Sequence, residues 1–335
     1  MIRSHRLHPT AMLLVLTVTL MTVALVSLNL GSTRMSLPQV AATLLGQGEW
    51  TDNLVILQMR LPRLVLSLLI GAGLAVSGVI LQGITRNDLA SPDTLGVNAG
   101  AGLGMMFLLV MYPTAATALP WLLPVGAVAG AAVITLLVFA LAYRQGSVLP
   151  SRLLLVGIAV AFGAQAAMLL FSLRMSFVMY NYVVTWMSGT LAAGDWQSLQ
   201  LLLPCCLLLI PAALSRARVL NVFSLGDGVA ASLGVSVERQ RLLLLGVATL
   251  LTSVCVALGG HMGFLGLVSP HLARRLVGGN HRVLLPAAAL CGAILLLAAD
   301  SLGRHLFAPV EIPAGVLVGI LGGIYFLYLL GTTRD

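Results

Sequence analysis

The chain has 335 residues, of which 59% are hydrophobic and only 8% charged, and its mean hydropathy is +1.04. An average soluble domain is about 25% charged, so a solvated surface cannot be built from this composition and the apolar excess must face lipid or other helices. The net charge of +8 comes from arginine alone, since the sequence contains no lysine, and its scatter between apolar runs points away from nucleic acid.

A hydrocarbon layer about 30 Å thick requires roughly 20 apolar residues per helix. Runs near that length occur at 11–30, 61–82, 94–111, 122–142, 152–172, 197–214, 241–259, 264–278, 283–300 and 313–330. They predict an all-α polytopic membrane protein of about ten transmembrane helices, with residues 1–335 forming one transmembrane domain. A β-barrel would show short alternating segments instead, and none occur. The first run follows Arg3 and Arg6 and is too long for a signal h-region of about 7–15 residues, so it reads as an uncleaved span with a cytoplasmic N-terminus.

Ten spans return the C-terminus to the cytoplasmic side. Arg3, Arg6, Arg86, Arg144, Arg152, Arg216, Arg218, Arg239, Arg241, Arg274, Arg275, Arg282 and Arg334 then lie inside, and only Arg34, Arg60, Arg63, Arg174 and Arg304 outside. This is the bias of positive residues that sets orientation. The longest exterior segments, 31–60 and 172–197, have Trp50, Trp186 and Trp196 in or beside them as interfacial aromatics. Small residues four apart, Gly96, Gly100 and Gly104 in the third span and Gly315, Gly319 and Gly323 in the tenth, predict close helix packing.

The longest cytoplasmic segment, 215–240, is too polar to insert. It reads as one or two short helices with turns at Gly226, Gly228 and Gly234, and a segment of that length is expected to dock on something rather than hang free.

Chemistry within the spans looks sparse. Asp300 falls at the outer end of the ninth run and His271 follows Pro270 in the eighth, where bonding to a carbonyl near the proline break is the simpler role. Cys205, Cys206, Cys255 and Cys291 lie in apolar runs without metal or redox spacing and read as buried apolar residues. The chain has no P-loop, no paired-acid or His-Glu-x-x-His motif and no Gly-x-Ser-x-Gly, so catalysis and ATP binding are not expected in it. A solute carrier of this kind would draw its energy from a partner subunit attached at 215–240. A gradient-driven carrier would want an intramembrane carboxylate, and the runs supply none.

Several long motifs, in order, carry a resemblance. They are RLPRLVLSLLIGAGLAVSGVILQGITRNDLASPDTLGVNAGAG at 60–102, SLGDGVAASLGV at 224–235, GFLGLVSPHLARRLVGGNHRVLLPAAALCGA at 263–293, the pair Ala299 and Asp300, and EIPAGVLVGILGG at 311–323. The chain resembles the membrane permease subunit of bacterial ABC importers for ferric siderophores, haem and cobalamin, over almost its whole length. The resemblance implies a type II ABC importer permease fold in the cytoplasmic membrane, paired with a second permease subunit. It also implies two ATPase subunits that hold ATP and magnesium, and an extracytoplasmic binding protein that delivers the cargo. No cofactor or metal is implied for the chain itself.

Residue by residue, the resemblance places Leu225, Gly226, Asp227, Ala230, Leu233 and Gly234 in a cleft of the ATPase, and sets Arg60, Arg63 and Arg304 against carboxylates of the binding protein. The fifth, eighth and tenth helices would line the path. The sequence departs from the family where Asp88 stands in place of a usual proline and where Ile324 follows Gly322 and Gly323. The ferric-siderophore branch looks closest, with cobalamin or haem import as the alternative cargo.

Overall fold

The computed structural model describes residues 8–29, 35–112, 121–144, 147–191, 194–306 and 310–332. Arg3, Arg6, Arg34, Arg334 and both chain ends, which entered the reading of orientation, lie outside the described residues. The helices are α1 (Pro9–Asn29), α2 (Leu37–Leu44), α3 (Trp50–Asn53), a π-helical turn (Leu54–Arg60) leading directly into α4 (Leu61–Thr85), α5 (Val97–Met111), α6 (Leu122–Ala142) and α7 (Pro150–Ser172). There follow α8 (Phe177–Met187), α9 (Trp196–Ser215), α10 (Ala217–Phe223), α11 (Asp227–Ser232), α12 (Val237–Gly259), α13 (Leu265–Val277), α14 (His281–His305) and α15 (Ala314–Thr332).

Among the described residues seven helices are long and apolar enough to cross a membrane. The shorter α5 and α15 are apolar as well, and α13 occupies the eighth of the ten runs expected. Polar residues set several of the starts: Ser36 caps α2 in a capping box with Gln39, and Asp195 accepts the Ser198 amide at 2.8 Å to begin α9. The segment 172–197, read from the sequence as exterior loop, contains α8, capped by Ser176.

The core is built around α4, which packs on α12, α13 and α14. Glycines set those distances. A Cβ on Gly71 would lie 2.4 Å from the Gly292 carbonyl oxygen, and one on Gly292 would lie 2.2 Å from the Gly71 oxygen, so α4 and α14 meet backbone to backbone. Gly100 and Gly104 of α5 stand in the same relation to Gly126 and Gly130 of α6, while Gly96 sets the start of α5 at φ +75°. Such approaches suit a membrane interior, where dispersion contacts rather than water exclusion hold helices together.

The tenth span corrects the glycine reading. Gly315 packs on Gly189 and Gly322 on Phe264, but a Cβ on Gly319 or Gly323 would meet nothing within 4 Å. With 3.6 residues per turn, positions seven apart return to within about 20° of one face, whereas steps of four drift by about 40° each. Gly315 and Gly322 therefore form the packing pair, and Gly319 and Gly323 turn away from it.

The third and eighth spans also differ from full crossings. Gly266 lies against the Leu74 carbonyl and Pro92, and Gly259 against Ile70. Ile70 and Leu74 are seven and eleven residues along α4 from Arg63, which at 1.5 Å per residue is about 10 and 16 Å inward. The turn between α12 and α13 thus sits near mid-bilayer, and 87–96 climbs back from the C-terminal end of α4 to the same depth before α5 begins. Non-helical backbone at that depth persists only when enclosed by protein or lining a cavity.

Replacing Gly292 by alanine should therefore force α4 and α14 apart and lower the stability of the isolated chain by about 2 kcal/mol or more. Alanine at Gly319 should leave it unchanged or raise it slightly through helix propensity. Thermal unfolding in detergent distinguishes the two, and equal effects would contradict this packing.

Candidate functional site

Three groups of side chains stand out, one on each face and one between them. On one face, 215–240 folds as α10 and α11 joined by a turn at Gly226, whose φ of +104° only glycine adopts readily. Gly234, at φ +81°, ends α11. Ala230 is fully buried beneath the elbow, while Leu225, Val229 and Leu233 are 60%, 45% and 61% exposed.

Asp227 holds this elbow to the transmembrane body. One carboxylate oxygen meets Arg86 at 3.2 Å and the other meets Arg241 at 2.8 Å. Arg241 is almost completely buried and also donates to Glu238 at 2.6 Å and to the Val148 carbonyl at 3.0 Å, with its guanidinium over the Phe223 ring. Arg86, in a left-handed conformation at φ +51°, caps the end of α4. Counting charges assigned Arg86 and Arg241 only to the cytoplasmic side. Their carboxylate partners were not legible from spacing, since Arg86 and Asp227 are far apart in sequence.

On the opposite face, expected from the sequence to be the outer one, Asp300 is almost wholly buried between two arginines. Arg63 donates to it from Nε and from Nη2 at 2.8 Å, a bidentate fork, and Arg304 approaches it at 3.1 Å. Arg63 extends a third bond to Glu311 at 3.0 Å, and Arg304 reaches the Ser27 hydroxyl at 2.9 Å. Arg60, also buried, donates to the Leu28 carbonyl at 2.6 Å. The structure thus brings the three outer arginines together where α1, α4 and α14 meet, and engages all three within the chain. Of the two carboxylates, only Glu311 is substantially exposed, at 48% of its side chain.

Between the faces lies a cavity of about 640 Å³. Its wall includes residues of 89–102, α7, α8, the α12–α13 turn and α15, so the fifth, eighth and tenth spans each contribute. The sequence suggested span interiors bare of ionisable pairs. Instead, Asp93 lies 3.8 Å from His261 within this wall. Asp93 sits in a polar stretch that looks like a cytoplasmic loop, which is why hydropathy gave no signal for it. His271, by contrast, stacks edge-on against Tyr325 in α15. Among the described residues no cluster of three or more His, Cys, Asp or Glu side chains forms a metal site.

Seven long apolar helices with shorter ones between them, interruptions at mid-depth and an anchored elbow at one face fit a polytopic transport permease. The chain belongs to the FecCD transport family, whose model matches residues 18–332. It is 41% identical to the iron(3+)-hydroxamate import system permease protein FhuG of Bacillus subtilis, across 95% of this chain and 96% of that protein. It is 40% identical to the hemin transport system permease protein HmuU of Yersinia pestis, across 98% of each. Among solved structures, an inward-facing metal-chelate type ABC transporter matches with a TM-score of 0.86 and 32% identity, over 96% of this chain and 99% of that one.

Removing the buried carboxylate by Asp300→Ala should leave Arg63 and Arg304 facing each other with only Glu311 on Arg63 to offset them and destabilise the chain by about 3–5 kcal/mol. Adding Arg304→Met should restore part of that loss. A double-mutant cycle on thermal stability measures the coupling, and simple additivity would mean that the outer cluster is not a unit.

Proposed function

We propose that this chain is the permease subunit of an ATP-driven importer of ferric siderophores in the bacterial cytoplasmic membrane, with both termini cytoplasmic. A second permease subunit completes the path, two ATPase subunits bind at the elbow, and an extracytoplasmic binding protein loads the outer face. The observation that carries the reading is the elbow: an exposed apolar row, Leu225, Val229 and Leu233, on short glycine-bounded helices fixed to the body through Asp227. A rigid, apolar, anchored projection can transmit a rigid-body push, which a flexible connector cannot. The names of the relatives, for iron hydroxamate and hemin import, support a ferric chelate as cargo.

Glutamate at both Leu225 and Leu233 should abolish co-purification of the ATPase subunit and reduce chelate uptake at least tenfold, while leaving the melting temperature of the permease unchanged. Retained uptake in that variant would remove the elbow from the mechanism.

At the outer face, Arg63 is proposed to meet the binding protein directly, with Arg60 and Arg304 holding the helix ends that place it. Glu311 occupies the outward side of Arg63, so an incoming carboxylate would exchange with it. Glu311→Gln should then tighten capture of the loaded binding protein about threefold, on the scale of one solvent-exposed ion pair, and Arg63→Gln should weaken it. Charge reversal at Arg60 or Arg304 should weaken it too. Capture unchanged in all four variants, measured on immobilised permease, would retire this docking surface.

A further inference from the structure

The connection from α6 to α7 is pinned to the elbow through one buried arginine. Tyr143–Arg144 and Ser147–Val148 form two short antiparallel strands, with Tyr143 paired to Val148 and its ring stacked on Phe139 of α6. Val148 is fully buried. Its carbonyl accepts from Arg241 Nη1 at 3.0 Å, and its amide donates to Glu238 Oε1 at 3.4 Å. The same Glu238 oxygen accepts from Arg241 at 2.6 Å, so both backbone groups of Val148 are held by a single ion pair at the start of α12.

Arg241 is itself 1% exposed, and its second terminal nitrogen is spent on Asp227 of α11 at 2.8 Å. A guanidinium is planar and its donors point in fixed directions, so the bonds to Val148, Glu238 and Asp227 together set where the hairpin stands relative to α11. Phe223 of α10 adds only a ring face 5.9 Å from the guanidinium carbon, a contact that tolerates sliding. The other oxygen of Asp227 meets Arg86 at the end of α4, but there both side chains are 37% exposed, and exposed pairs contribute little. The α10 helix is held elsewhere and by neutral groups: Asn221 Oδ1 accepts from the His281 amide at 2.8 Å, and its Nδ2 donates to Asn280 at 3.0 Å. Asp227 therefore joins a firm link to a weak one, and the firm link leads to α7.

We infer that Arg241 is a positioning residue that makes α11 and the hairpin before α7 one mechanical unit, so that displacement of the elbow shifts the α7 wall of the cavity. The helix begins at Pro150, two residues after Val148, and places Gln165 and Met168 in that wall. Fifteen residues separate Pro150 from Gln165, about 22 Å along a rigid helix, so a small rotation imposed at the hairpin is carried to the cavity. An element whose position both sites bias is the physical requirement for coupling them. The inference rests on the importer reading above and assigns transmission to a buried residue outside the exposed row proposed to meet the ATPase.

The test has two arms. In the full chain alone, in lipid nanodiscs, amide hydrogen exchange is followed over 147–149 in Arg241→Met, Glu238→Ala and Arg86→Gln. The first two should speed exchange about tenfold, the scale of one lost hydrogen bond to a charged group, and the third should leave it unchanged. Exchange equal to that of the unaltered chain in the first two overturns the link, whatever the complex transports. In proteoliposomes of the assembled complex with its binding protein, ATP hydrolysed per ferric trihydroxamate imported is measured. Arg241→Met and Glu238→Ala should raise that ratio about fivefold while kcat and KM for ATP stay within about twofold. Hydrolysis and import falling together would show a merely structural arginine, and an equal effect of Arg86→Gln would move the role to the exposed pair; either overturns the assignment. Should Arg241→Met fail to fold by gel filtration, Glu238→Ala, at a side chain 31% exposed, carries both arms. No ATP-dependent import by the unaltered complex overturns the importer reading instead, and the exchange arm still decides whether Arg241 pins the hairpin.

Discussion

Hydrocarbon offers no partner to a backbone amide or carbonyl, so a chain that interrupts its helices inside the bilayer must supply every partner itself. This protein does so in two places, 87–96 and the turn from Gly260 to Phe264. Both are possible because α4 is bordered by glycines. At Gly71 and Gly292 two helix backbones touch, and at Gly78 the Gly266 carbonyl comes so close that any side chain there would overlap it. Close approach encloses the broken segments, and the broken segments in turn leave the space that becomes the cavity. Packing and cavity are therefore one feature of the fold.

The elbow and the cavity are joined through a short piece of chain. Asp227 holds Arg86 at the last turn of α4, and ten residues on, that same chain has passed Asp93 and begun α5. A second tie runs parallel to the first: Asp88 pairs with Arg274 at 2.9 Å, and Gln82 donates to the Asp88 carbonyl while accepting from Arg274. The ends of α4 and α13 are thereby linked at the same face as the elbow. The wall at 87–96 follows directly on Arg86, which Asp227 of the elbow holds, and α13 is tied to that same stretch through Asp88, so short links join the elbow to both walls. The aspartate that stands at position 88, where the resembled family commonly has proline, takes part in this tie, and its side chain gives the turn an ion pair in place of the conformational restriction that proline would supply.

The spans were legible because hydropathy is a summed property: a run of twenty apolar residues tolerates local error, and the observed helix ends fall within a few residues of those expected. The short helices of the elbow were legible as well, since polarity and three glycines within ten residues leave few other conformations. The mid-membrane site was not. Ser91, Pro92 and Asp93 carry the composition of a surface turn, and nothing local shows that the chain re-enters the bilayer there; only the position of Pro92 against Gly266 reveals it. His261 is likewise ordinary in sequence, and its meeting with Asp93 is a tertiary event. The glycines of α15 failed for a different reason. Spacing by four identifies a stripe but not its azimuth, and the neighbouring Phe264 selects Gly322 over Gly323.

The outer arginines illustrate the limit of charge arithmetic. Sign and position identify an interface, but a guanidinium has five donors, and those donors can be spent on the chain's own groups as readily as on a partner. Arg60, Arg63 and Arg304 carry three positive charges against two negative ones on Asp300 and Glu311, which leaves an excess of one. Asp300 is buried and held from both sides, so it is fixed. Glu311 is half exposed and held by Arg63 alone among the described salt bridges. A surface of this kind is structurally satisfied when alone yet still attracts an acidic partner, and exchange of one carboxylate for another at Arg63 changes little in net energy. On the docking proposed for this face, such near-degeneracy favours reversible capture: a binding protein would be held long enough to deliver its cargo and released without breaking the buried core of the cluster.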